Sequence, residues 1–134
     1  MIAAPVAGAV SELRTHFGPE AVTVKEDGEG GAYVLVEQVN LGEAYTAETR
    51  TTWLGFKIGF QYPLADVYPH HVRPDLARAD GHALGAGMSA TQFEGFGGPS
   101  IQFSRRSKEG TWGQQTALLK LLKVVEWAKV HPGG

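Results

Sequence analysis

The chain contains no cysteine. Disulfides, thiolate metal sites and cysteine nucleophiles are therefore excluded together. Charge is also sparse: 19% of the 134 residues are charged, and the formal net charge is −2 with a pI near 6.2. No global field gathers nucleic acid or anionic lipid, so such binding would need a local patch. No apolar run approaches the roughly 18 residues that cross a bilayer. The segment Met1-Ile2-Ala3-Ala4-Pro5 lacks the basic and apolar regions of a secretory leader. These absences predict a cytoplasmic protein that engages neither membrane nor nucleic acid.

What is present is enough for one core. Apolar residues make up 43% of the chain, which fits a single domain over residues 1–134. The 18 glycines are scattered, with neither a collagen period nor a linker block, and read as turns and loops. Val6, Val10, Leu13 and Phe17 recur at helical spacing behind Pro5, and Gly18-Pro19 is a stop signal, predicting a helix over residues 5–17. Residues 21–25 and 32–39 are rich in β-branched side chains and flank Asp27-Gly28-Glu29-Gly30-Gly31, the pattern of a hairpin. Leu54, Phe56, Ile58 and Phe60 alternate with Trp53, Gly55, Lys57 and Gly59, predicting a strand with one buried row.

From Tyr62 to Ser100 periodicity is lost among Pro, Gly, His and Asp, and a loop of this length is expected to hold or border a site. Ile101 to Ser104 reads as a short extended piece. Thr111-Trp112-Gly113-Gln114 has capping-box spacing ahead of a final helix lined by Leu118, Leu121, Leu122, Val125 and Ala128. The whole predicts an α+β fold: an antiparallel four-stranded meander with one N-terminal and one C-terminal helix.

Two passages resemble the ubiquitin-conjugating-enzyme family. Phe56 to Val72, with Tyr62-Pro63 and Tyr68-Pro69, is similar to the family's Tyr-Pro passage out of its meander. Ile101-Gln102-Phe103-Ser104, then Trp112, then the helix from Thr116 to Val130, is similar to the segment around the family's nucleophile. Gln102 falls where that cysteine would stand, and Arg73-Pro74-Asp75 is the nearest approach to the family's His-Pro-Asn signature, so thioester chemistry is excluded. Ser104-Arg105-Arg106 with Trp112 is similar to a Ser-Arg-His-like element of prokaryotic relatives, with Arg106 in place of the histidine.

The resemblance implies a bacterial, cysteine-less component of a ubiquitin-like conjugation pathway, of a type often associated with antiviral defence. Implied partners are a ubiquitin-like modifier, an activating-enzyme homologue and a second conjugating-type subunit. Such a component is either a non-catalytic adaptor or an enzyme carrying the modifier as an oxyester on Ser104. A reading of another class is a small interaction domain of the related RWD fold, unconnected with modifiers. As a carrier, Ser104 would need a base, for which His82 and Asp80 are the candidates, and Arg105 and Arg106 would steady the oxyanion. Against this, Ser104 reads equally as the end of a strand beside solvated arginines.

The remaining groups point to weaker chemistries. His70, His71, His82, Asp75 and Asp80 match no zinc spacing, and neighbouring histidines on an extended chain face opposite ways, so no metal is expected. The glycine clusters at 81–87 and 95–98 lack the strand, helix and lysine of a phosphate loop, and no cofactor is expected. Arg105, Arg106 and Lys108 beside Trp112 form a patch suited to single-stranded nucleic acid or to an acidic protein tail. Trp112, Trp127, Tyr68 and His70 are the expected protein-contact residues, with Trp127 at the boundary of the core.

Overall fold

The computed structural model describes residues 2–104 and 116–132. The chain opens with α1 (Ala4–Phe17), makes a single 3-10 turn at Pro19–Ala21, and then forms β1 (Val22–Glu26), β2 (Ala32–Asn40) and β3 (Thr51–Ile58). After these come β4 (His70–Val72), β5 (Met88–Gln92), β6 (Pro99–Phe103) and α2 (Ala117–Val130). The strands form one sheet in the order β1-β2-β3-β4-β6-β5, with every neighbouring pair antiparallel. The fold is α+β, as the residue pattern predicts.

In place of the expected four-stranded meander the sheet has six strands. Within the stretch expected to be irregular, β4 continues the meander and β5 begins a hairpin whose second strand, β6, pairs back on β4. Both strands carry weak signals: β4 has three residues, and β5 presents Met88 as its one large apolar side chain. Ser104 lies one residue beyond β6. The peptide bonds Tyr62-Pro63 and Tyr68-Pro69 are cis, on the approach to β4.

A single core joins both helices to one face of the sheet. From α1 it takes Val6, Ala9, Val10 and Leu13, and from the sheet Val34, Val36, Leu54, Phe56, Ile58, Val72, Ile101 and Phe103. Phe17 is only half-buried at its margin. Gly18 ends α1 at φ 96°, a conformation that favours glycine, and its N–H donates to the Arg14 carbonyl. Leu54, Phe56 and Ile58 are buried as expected, whereas Phe60 lies past the end of β3 in a turn and is 56% exposed.

The buried side of α2 is rotated from the leucine row. Ala117, Lys120, Leu121, Val124 and Ala128 face inward, Leu118 and Val125 are half-buried, and Leu122 is exposed. Lys120 is buried because its ammonium reaches both carboxylate oxygens of Asp66 at 3.2 Å. Thr116 caps this helix, its Oγ1 accepting from the Leu119 N–H at 3.1 Å. The capping spacing at Thr111–Gln114 falls outside the described residues. Buried Tyr45 ties the β2–β3 connection to α2, its hydroxyl donating to the Ala128 carbonyl at 2.7 Å.

Candidate functional site

The sheet face turned away from the helices holds most of the chemistry. Alternation along β4 sends His70 and Val72 into the core and leaves His71 on this outer face. His71 pairs in register with Gly55 on one side and Gln102 on the other. Its Nδ1 is 2.9 Å from Ser100 Oγ, and its ring stacks on Phe93 with centroids 4.7 Å apart. Burial pushes the His71 pKa below the ordinary histidine value. This neutral imidazole and the hydroxyl beside it are covered, with Ser100 1% exposed, so the pair fixes β4 to β6 and offers no accessible nucleophile.

Phe93 is the centre of an aromatic cluster with Tyr33, Trp53, His71 and Phe96 around it. Two glycines make room for this arrangement. A Cβ on Gly55 would meet Phe93 Cε2 at 2.2 Å, and one on Gly95 would meet Tyr33 Cγ at 2.4 Å. The β5–β6 loop consequently lies down on the sheet. Tyr33, Trp53 and Phe96 remain half-exposed at its edges.

Ser104 continues the outer row of β6. Its N–H donates to the Gly87 carbonyl at 2.7 Å, and its Oγ accepts from Gln102 Nε2 at 2.8 Å. Among the described residues no hydrogen bond links Ser104 to His82 or Asp80. Those two lie in the exposed β4–β5 connection, where Asp80 is paired with Arg78 and accepts from the His82 N–H. The Arg78 hydrogen bond holds the Asp80 carboxyl below the usual carboxylate range, which makes it a poor base. Arg105, Arg106, Lys108 and Trp112 lie outside the described residues.

The expected contact residues have different fates. His70 is 0% exposed, so its ring presents no surface to a partner; it tilts against Phe56 with centroids 5.1 Å apart. Among the described residues neither ring nitrogen has a hydrogen-bond partner, and burial, reinforced by the nearby Lys120 charge, pushes its pKa down to about 3. Tyr68 is half-buried ahead of β4. Trp127 stands at the core boundary as expected, packing edge-on against Phe103 at 5.8 Å, with Gly87 close to its ring. Among the described residues no three His, Asp or Glu side chains gather to hold a metal ion, and no helix is long and apolar enough to cross a membrane.

Two concavities escaped the sequence reading. One, of about 580 Å³, runs between α1 and β1 and is lined by Val10, Arg14, Pro19 and Val24 among others. The second, of about 530 Å³, opens at the end of the outer face and brings together Glu37, Gln38, Thr51, Trp53, Arg73 and Asp75. A bulge in β2 between Val36 and Val39 shapes it, with Gln38 at φ 61° in the left-handed region. The available signal was that Trp53 alternates with the buried row of β3. The partners that Trp53 meets from β2 and from beyond β4 depend on register and had no local signature.

Comparison with known proteins finds no matching family model, no matching curated protein and no matching solved structure.

Proposed function

We propose that the chain is a non-catalytic, ubiquitin-conjugating-enzyme-like adaptor that binds a ubiquitin-like modifier or its activating or conjugating enzymes. The observation that carries this reading is the environment of Ser104. At the position expected of an acyl carrier, the hydroxyl accepts from the amide of Gln102 at 2.8 Å, and an amide donor cannot take up the proton a serine nucleophile must lose. The imidazole of His71 is engaged with Ser100, and the Asp80 carboxylate with Arg78. The resemblance in the Tyr-Pro passage, and the order of strands followed by a terminal helix, support placing the adaptor in a modifier pathway. The half-exposed aromatic cluster on the outer face supports a binding role.

The test combines the protein with ATP and with a ubiquitin-like modifier and activating-enzyme homologue from the same genome. The expected result is complex formation without an ATP-dependent covalent adduct, identical for wild type and Ser104→Ala. An adduct formed by wild type and lost in Ser104→Ala overturns the adaptor reading in favour of the oxyester carrier. Neither adduct nor complex leaves the interaction domain unconnected with modifiers.

A further inference from the structure

The cleft around Trp53 has a chemistry of its own. Three residues from different elements converge on it: Glu37 at the β2 bulge, Trp53 on β3 and Arg73 just past β4. The indole is held by an offset stack on Phe93, with ring planes 15° apart and centroids 6.3 Å apart. It is therefore positioned before anything binds, and Trp53 remains half-exposed.

The charge in the cleft is unevenly committed. Arg73 donates from Nε and Nη2 to the two oxygens of Asp75, at 2.6 and 2.8 Å, and from Nη1 to the carbonyls of Glu48 and Thr51. Its planar fork is filled by the protein itself, so a carboxylate or phosphate finds no bidentate donor here. Glu37, by contrast, is exposed and makes no ion pair among the described residues. One arginine against Glu37 and Asp75 leaves the cleft one negative charge in excess, beside an aromatic ring. Indole with carboxylate is the pairing that receives a cation: the ring quadrupole attracts it and the carboxylate neutralises it. Gln38, with its left-handed backbone, lines the same cleft.

We infer that the Trp53 cleft is a docking site for a basic side chain, lysine or arginine, projecting from a protein partner. The inference deepens the adaptor reading by giving the chemistry of the partner's contact. Its test needs neither modifier nor activating enzyme, so the two fail separately.

The experiment titrates the isotopically labelled protein with tetralysine, tetraarginine and fully Nε-acetylated tetralysine, following the Trp53 indole N–H and the backbone amides of Glu37 and Gln38 by NMR. Saturable shifts of these signals with both basic peptides, and none with the acetylated one, are expected. Trp53→Leu should abolish the response. Glu37→Gln should weaken binding roughly fivefold, the scale of one exposed ion pair, while Glu12→Gln, the same charge removed from α1, should leave it unchanged. Equal shifts with the acetylated peptide, equal losses from Glu12→Gln and Glu37→Gln, or no saturable shift would each overturn the inference. Should Trp53→Leu prove unfolded by its amide spectrum, the Glu37→Gln and Glu12→Gln pair decides alone.

Discussion

Phe93 is seated on Gly55, so close that a methyl group at position 55 would fall 2.2 Å from Phe93 Cε2. The contact joins the middle of β3 to the loop between β5 and β6, and the same ring covers His71. An apparently unremarkable glycine in a strand thus decides whether the outer face is covered. Its substitution is a direct test of the arrangement.

Gly55→Ala should lift Phe93 and destabilise the fold by about 1–3 kcal/mol, the usual cost of overpacking. In Phe93→Ala the added methyl has space, so the double variant should lose less than the sum of the two single ones. Chemical denaturation of all four proteins measures this coupling; strict additivity would show that the two residues do not touch.

Phe56→Ala should cost about 3–5 kcal/mol, because the ring is fully buried between the sheet and the helices. Phe60→Ala, four residues further on, should change stability by less than about 0.5 kcal/mol, as expected at an exposed position. Urea midpoints at constant m-value distinguish the two. Similar losses at both sites would contradict the end of β3 at Ile58.

Stability should fall on mild acidification through His70. The folded-state pKa is about 3 against an ordinary 6.5, so between these values the unfolded chain binds a proton that the folded one does not. Stability therefore rises with pH across that window, by up to about 1.4 kcal/mol per unit. Asp27, Asp75 and Asp80 are shifted below 3.8 and act at lower pH. His71 is shifted in the same direction as His70 and contributes a smaller share of the slope. Urea midpoints from pH 7 to 4.5 should flatten in His70→Leu; an unchanged profile would place the sensitivity elsewhere.

Gln38→Gly should stabilise the protein by about 0.5–1 kcal/mol, since glycine adopts φ 61° without the steric cost borne by glutamine. Thermal melts of the variant provide the check. A loss would mean that the amide side chain contributes more to the bulge than its backbone costs.

Periodicity made α1, the β1–β2 hairpin, β3 and α2 legible in the sequence, because each has an apolar row at its own repeat. It failed at β4, where three residues between proline-rich stretches are too few to show a period. It failed again at β5, whose inward side is nearly bare. On α2 Leu121 and Ala128 are buried as the row predicts, but Leu118 and Leu122 misled: the inward side is completed by Ala117, Val124 and the Lys120–Asp66 pair, a partnership across 54 residues that no local pattern announces. The opposite facing of His70 and His71 could be read from the strand, but which of them entered the core depended on register. For Ser104, its place at the end of an extended piece was visible. Its bond to Gln102 follows from two residues sharing one side of a strand, whereas the anchoring of its N–H on Gly87 is a long-range pairing.

The β5–β6 loop also determines the shape of any visitor to the outer face. With Gly95 pressed against the Tyr33 ring, the loop backbone lies at side-chain height above the strands. A second flat sheet stacked at the customary spacing of about 10 Å would collide with it. The loop is a ridge on this face, with Tyr33 and Trp53 both packed against its Phe93. Any partner meeting this face would have to be a narrow element laid beside the ridge, or a concave surface straddling it.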